Sequence, residues 1–164
     1  MVNNWGQMPK VTLIGAGSAV FARQLKQLGV GAVWVGSASI ASPVTIKLAG
    51  PAIDGTYGVA DFNASANPEA TAMTAKYRAR FNNETPDGGW THDAVRVLAK
   101  AINDAGSTEP EKIRDAILAI RGYDQTEGQY NFDQNGDGLH GYNIVRPQSA
   151  TGQATFERRI DFPA

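Results

Sequence analysis

Cysteine is absent from the 164 residues. That excludes a disulfide framework, a thiolate nucleophile and any cysteine-ligated metal. It is compatible with periplasm and cytoplasm alike. An excess of one charge is also missing, since 15 basic residues meet 16 acidic ones for a formal net charge of −1. No basic surface for nucleic acid or anionic lipid is expected, and Arg158-Arg159 is the one Lys/Arg cluster. No apolar run approaches the roughly 20 residues that a membrane span needs. The opening MVNNWGQMPK lacks an apolar segment, so no signal peptide is expected within it. Histidine is confined to His92 and His140. Neither has a His or Glu partner at ligand spacing, so metal and triad readings are weak.

The organising stretch is Val11 to Ser39, VTLIGAGSAVFARQLKQLGVGAVWVGSAS. A short apolar run, Val11 to Ile14, meets a Gly-Ala-Gly-Ser turn and then a segment of helical period, Ala19 to Leu28. A second apolar run, Ala32 to Val35, ends in Gly36-Ser37-Ala38-Ser39. Two β-rich runs joined by helix formers predict a β-α-β unit with parallel strands. Ligands of an open parallel sheet bind at the carboxyl ends of its strands. Those ends here are Gly15-Ala16-Gly17-Ser18 and Gly36-Ser37-Ala38-Ser39.

The expected fold class is α/β: three layers, a mostly parallel sheet flanked by helices, and a C-terminal antiparallel β-hairpin. Residues 1–9 read as a flexible lead-in and residues 10–164 as a single α/β domain. Strands are predicted near Lys10–Gly15, Ala32–Gly36 and Gly55–Asp61. Helices are predicted from Ser18 to Leu28, ended by Gly29, and from Ser42 to Ala49, with Ser42 as cap and Gly50-Pro51 as stop. Asn67 caps a third helix with Ala70, Met73, Tyr77 and Phe81 on one face. Thr91 caps a fourth, whose face is Ala94, Val95, Leu98, Ala101, Ile102 and Ala105. Thr108 and Glu111 form a capping box for a fifth, with Ile113, Ala116, Ile117 and Ile120 inward. Gln129–Asp133 and Tyr142–Arg146 read as antiparallel strands across a polar turn. Ala154–Phe162 alternates, with Phe156, Arg158 and Ile160 on one face.

The candidate ligand-binding residues are Gly15, Gly17, Ser18, Ser37, Ala38 and Ser39. Backbone N–H groups at a helix start can hold an anion, which makes the first set a dinucleotide fingerprint or an ordinary tight turn. The fingerprint is incomplete: Val20 holds the third glycine position. Ser37, Ala38 and Ser39 stand where an acid would bond ribose, and the next acid is Asp54. The non-nucleotide reading is favoured. The hydroxyls of Ser37 and Ser39 can bond a carboxylate or ammonium; alternatively Ser39 or Ser42 caps the next helix. Asp133 to Gly138 resembles half a calcium loop, but Ile144 replaces the bidentate Glu, and a polar turn accounts for the same residues. Asp93 falls in a helix first turn, where a carboxylate is stabilised without catalysis. Trp34, Trp90 and Tyr57 can line a pocket or serve as core. No carboxylate pair stands out for acid–base work. No catalytic residue, metal or cofactor is implied.

From about Ala19 onward the chain resembles type I periplasmic substrate-binding proteins of branched-chain amino acid ABC transporters. The resemblance is carried by VFARQLKQLGVGAVWVGSASI, KLAGPAIDGTYGVADF, NPEATAMTAKYRARF, THDAVRVLAKAINDAGSTEPEKIRDAILAI and YNFDQNGDGLHGYNIVR. It implies a periplasmic, non-enzymatic receptor that closes two α/β lobes on an amino acid and docks on a membrane permease. Family members are about twice as long, so the resemblance covers only their latter part. It implies that Pro68–Ile120 belongs to the first lobe, and that second-lobe ligand contacts fall at Gly15–Ser18 and Ser37–Ser39. First-lobe residues that hold the amino acid have no counterpart here, so weak or lost binding is expected. Surface meant for a missing lobe implies a homo-oligomer, with a dimer as the expected form, with or without exchanged elements. Met8–Phe21, MPKVTLIGAGSAVF, instead resembles the opening of NAD-dependent family 4 glycoside hydrolases, which implies a natural or engineered recombinant. The rival functions are a nucleotide-binding domain using Gly15–Ser18 and a chain that merely folds and takes no ligand.

Overall fold

The computed structural model describes residues 10–13, 17–82, 86, 88–139 and 141–161. The expected lead-in, Gly15, Ala16, His140 and Phe162 lie outside the described residues. By internal contacts the chain divides into two compact units. The first comprises the chain up to Ala60 with Asn143–Arg158, and the second comprises Asp61–Tyr142 with Arg159–Ala164.

The first unit holds the predicted β-α-β. Strand β1 (Lys10–Leu13), helix α1 (Ser18–Gln27) and strand β2 (Val33–Gly36) follow in order. The strands run parallel, in register from Lys10↔Val33 to Leu13↔Gly36. Helix α1 stops because Gly29 takes φ 66°, a left-handed conformation that costs a side-chain-free residue little. A 3₁₀ turn (Ala38–Ala41) then leads into helix α2 (Pro43–Ala49). Ser42 caps α2, its Oγ accepting from Thr45 N at 3.5 Å, with Pro43 at the first helical position. Strand β3 (Tyr57–Ala60) joins β2 in parallel, Gly36 opposite Gly58.

Strands β6 (Gly141–Gln148) and β7 (Gln153–Asp161) complete a five-stranded sheet of order β1-β2-β3-β6-β7. Strand β6 is antiparallel to β3. The tight turn to β7, residues 149–152, permits only an antiparallel return. Four of the five strands therefore share a direction, as expected of a mostly parallel sheet flanked by helices. Asp54 pins that turn: its carboxylate accepts Ser149 N at 2.8 Å and Ser149 Oγ at 2.6 Å. The Ser149 hydroxyl and then its N–H hold the Asp54 carboxyl below its usual range.

Helix α1 packs on α2, and the core of this unit is Ala22, Trp34, Ile40, Ile46, Ala49 and Ile53. Phe21 meets Trp34 edge-on at 6.2 Å, so Trp34 is core rather than pocket wall. Ile40, Ile46 and Ile53 are each fully buried, worth on the order of 2 kcal/mol apiece. Ile40 fits only because two strand positions lack a side chain. A Cβ on Gly36 would lie 3.2 Å from Ile40, and one on Gly58 would lie 2.8 Å from Ile40 Cγ2 and 3.0 Å from Val145 Cγ2.

The second unit contains helices α3 (Pro68–Arg80), α4 (Trp90–Ala105) and α5 (Pro110–Leu118) and a ribbon of β4 (Tyr123–Gln125) and β5 (Gly128–Tyr130). Pro68–Ile120 thus falls in a different unit from the β-α-β. Asn67 caps α3 as expected, accepting from Ala70 N at 2.8 Å. Other local expectations need correction. On α3, Ala70 and Thr74 are buried, while Phe81 is 44 % exposed. The cap of α4 is Gly89, with Thr91 inside the first turn. The buried stripe of α4 is Asp93, Val97 and Ala101, whereas Val95 and Leu98 are 63 % and 46 % exposed. Helix α5 begins after Glu109 without a side-chain cap bond; the Thr108–Glu111 box does not form, and Ser107 Oγ instead accepts Glu109 N at 3.1 Å.

Strand β5 pairs with β4, not with the segment 142–146, because Tyr123–Gln125 lies closer in sequence across a two-residue turn. Beyond β5 a single bridge, Tyr130↔Leu139, closes the polar loop. On β7 the alternation slips after Glu157, so Arg159 rather than Arg158 or Ile160 is half-buried. No helix among the described residues is long and apolar enough to cross a membrane.

Candidate functional site

The described candidate residues follow the ends of two neighbouring strands. Strands β1 and β2 are parallel and end opposite one another at Leu13 and Gly36. After β1 the chain enters α1 through Gly17 and Ser18; after β2 it enters the 3₁₀ turn through Ser37. Gly15 is outside the described residues. Gly17 precedes the helix with φ −116°, and an added Cβ would meet nothing within 4 Å, so crowding does not demand glycine there. The first turn of α1 has no acidic residue. Ser18 is buried.

On the neighbouring strand end, Ser37 and Ser39 are half-buried and Ala38 is exposed. Ser37 Oγ and Ser39 Oγ lie 3.0 Å apart, a hydroxyl pair that can both donate and accept. Neither hydroxyl caps α2, which is the task of Ser42. The carbonyl of Ser37 accepts Ile40 N at 3.1 Å, so the buried isoleucine sets the course of this segment.

The second unit contains a buried acidic group whose partners no sequence pattern marks. Asp93, fully buried in the first turn of α4, accepts from Thr126 N (3.2 Å), Thr126 Oγ1 (2.8 Å) and Glu127 N (2.9 Å). Its role is therefore structural: it clamps the β4–β5 turn to the start of α4. His92 Nδ1 stands 3.0 Å from Asp93 Oδ1 on the exposed side. The clamp draws Glu127 into the interior at 4 % exposure, with no hydrogen-bond partner for Oε1 among the described residues. Burial first, then the charges of Asp61 and Asp93, push the Glu127 carboxyl up to about 7 against bonds from the Gly89 and Trp90 N–H groups. Burial first, then the charges of Asp93, Glu127 and Asp61, raise the Tyr130 hydroxyl. Arg159 donates to the Glu127 carbonyl at 2.9 Å while its Nε pairs with Asp161 at 2.6 Å. Asp93 and Arg159 each stand more than thirty residues from the turn they hold, so no local spacing announces the contacts.

The remaining candidates resolve into structure. The Asp133 carboxylate accepts Asp137 N at 2.9 Å and Asn135 N at 2.8 Å, which builds the polar turn and holds its carboxyl below the usual range. Trp90 is 57 % exposed. Tyr57 lies under the Arg146 guanidinium at 4.9 Å and bonds it through its hydroxyl.

A β-α-β unit in a mixed sheet flanked by helices defines an α/β architecture. The family profile described as a periplasmic binding protein matches residues 10–153, and the chain belongs to that family. It is 30% identical over 118 residues to a leucine-, isoleucine-, valine-, threonine- and alanine-binding protein of Pseudomonas aeruginosa, covering 70% of this chain and 31% of that one. It is 28% identical over 131 residues to a Leu/Ile/Val-binding protein homolog of Brucella suis, covering 79% of this chain and 35% of that one. Among solved structures, a leucine binding protein from Thermotoga maritima superimposes with TM-score 0.81 at 27% identity, over 93% of this chain and 44% of the other. A branched-chain amino acid transporter substrate binding protein from Streptococcus pneumoniae, in complex with isoleucine, shares the fold with TM-score 0.77 at 17% identity, over 97% and 47%. The chain thus spans about a third of the length of these curated relatives.

The Glu127 carboxyl generates a pH prediction. A carboxyl raised in the fold binds its proton more tightly there than in the unfolded chain. Its contribution to stability is complete below the ordinary value of 4.5 and is lost as pH climbs through about 7. Denaturant unfolding should show stability falling between about pH 5 and pH 8, by up to about 1.4 kcal/mol per pH unit. Glu127→Gln should flatten that fall and be the more stable form at the alkaline end. An unchanged pH slope in the variant would contradict this assignment.

Proposed function

We propose that the chain corresponds to the latter part of a solute-binding protein for branched-chain amino acid ABC transport, acting in the periplasm and without catalysis. The observation that carries this reading is the family match across residues 10–153, joined to relatives named for leucine, isoleucine and valine binding. Residues 10–164 form its α/β domain. Gly15, Gly17, Ser18, Ser37, Ala38 and Ser39 supply the contacts from the β-α-β side. The α1 N–H groups receive a carboxylate, and the paired Ser37 and Ser39 hydroxyls receive the ligand's polar end. The membrane permease of such a transporter is the protein partner.

Binding by these residues alone is weak, because a ligand site gains affinity by burying most of the ligand surface. Isothermal titration separates the readings. Leucine should bind in the millimolar range or weaker, about −4 kcal/mol or less in magnitude, while NAD and NADP give no heat. Ser37→Ala with Ser39→Ala should abolish the leucine heat. Binding of NAD in place of leucine would favour the nucleotide-binding rival and the recombinant origin of Met8–Phe21. Three flat titrations would favour a chain that folds and takes no ligand.

Self-association follows from the same reading. Trp90, Val95 and Leu98 put large apolar side chains on the exposed side of α4, and such surface drives association. Light scattering should give a mass that rises to that of a dimer with concentration, with exchanged elements as the route. A monomer at high concentration would contradict the proposal.

A further inference from the structure

A groove of about 450 Å³ runs along α3 and the start of α4 within the second unit. That volume is within the range of small-molecule sites. Among the described residues that line it, Lys76, Arg80 and Arg96 carry permanent positive charge and Glu69 is the one carboxylate. A chain of net charge −1 thus gathers three cations around one concavity. Its floor is apolar: Met73 and Tyr77 are half-buried and Pro86 is buried.

The cations come from two helices. Lys76 and Arg80 are four residues apart on α3 and therefore share a face. Arg96 comes from α4 and is positioned by a buried residue: its Nε donates to Gln125 Oε1 at 2.8 Å, and Gln125 is 2 % exposed. A guanidinium fixed through Nε keeps its terminal nitrogens for a second acceptor, and a planar fork matches a carboxylate. Like charges held close together repel one another, and a bound anion relieves that repulsion.

We propose that this groove binds a small organic carboxylate with an aromatic or branched apolar body. The carboxylate sits between Arg96 and the Lys76–Arg80 pair, and the apolar body lies on Met73, Tyr77 and Pro86. None of the residues lining it is one of the strand-end candidates of the first unit, and the family match does not assign it.

Phenylacetate and its neutral analogue phenylacetamide are the probes, titrated into the full chain and followed by amide chemical shifts and calorimetry. Phenylacetate should shift amides of α3 and the first turns of α4 and bind at least about tenfold more tightly than the amide. Lys76→Gln with Arg80→Gln should weaken phenylacetate at least about tenfold while leaving the thermal midpoint and any leucine heat unchanged. Arg96→Lys, which keeps the charge and loses the fork, should weaken it by less than that double variant but measurably. Equal affinity for acid and amide, unchanged affinity in the double variant, or no binding up to about 10 mM would overturn the proposal. Since leucine is titrated separately, failure here and failure of the transport reading are distinguishable.

Discussion

The first unit depends on one close approach: Ile40 occupies the space that side chains at Gly36 and Gly58 would fill. Those two glycines face each other across the β2–β3 ladder. Ile40 follows β2 by four residues and returns over the strands it has just left, drawn by complete burial. Its N–H closes on the Ser37 carbonyl, so the hydrophobic anchor also fixes the segment that carries the Ser37–Ser39 hydroxyl pair. Packing thereby reaches the candidate ligand contacts through a single turn of chain. A protein interior has no spare room for an added methyl at such a point.

The second unit depends on a polar anchor. Asp93 receives three hydrogen bonds from Thr126 and Glu127, and this joins the head of α4 to a short ribbon that has little apolar surface of its own. A buried carboxylate is tolerable when its oxygens are satisfied. The cost is transferred to Glu127, which is carried inside with an oxygen that has no hydrogen-bond partner among the described residues. The two anchors differ in their response to solvent conditions: the apolar one is insensitive to pH, whereas the polar one brings a titrating group with it.

What could be read from the residues was what local chemistry decides. The β-α-β unit showed in its two apolar runs and intervening helical period. The caps Ser42 and Asn67 lie within three residues of the N–H groups they accept. Contacts across many residues were not legible. The partner of β5 is only three polar residues long, Tyr123–Gln125, and carries no strand pattern. Asp93 looked like an ordinary helix-start acid because Thr126 and Glu127 are far along the chain. The apolar pattern of α4 pointed through Val95 and Leu98, yet the covered stripe is Asp93, Val97 and Ala101. Periodicity states where cover is wanted and not what supplies it. The cations of the α3–α4 groove were hidden for the same reason, since Arg96 joins Lys76 and Arg80 only in the fold.

The seat of Ile40 against the two glycines governs the first unit, and a double-mutant cycle in denaturant unfolding tests it directly. Alanine at position 58 gains up to about 1 kcal/mol by restricting the unfolded chain but meets Ile40 Cγ2. Gly58→Ala should therefore cost about 1–3 kcal/mol in the parent and clearly less in an Ile40→Ala background, where that methyl is gone. An equal cost in both backgrounds, or a stabilising Gly58→Ala in the parent, would contradict this role for Ile40.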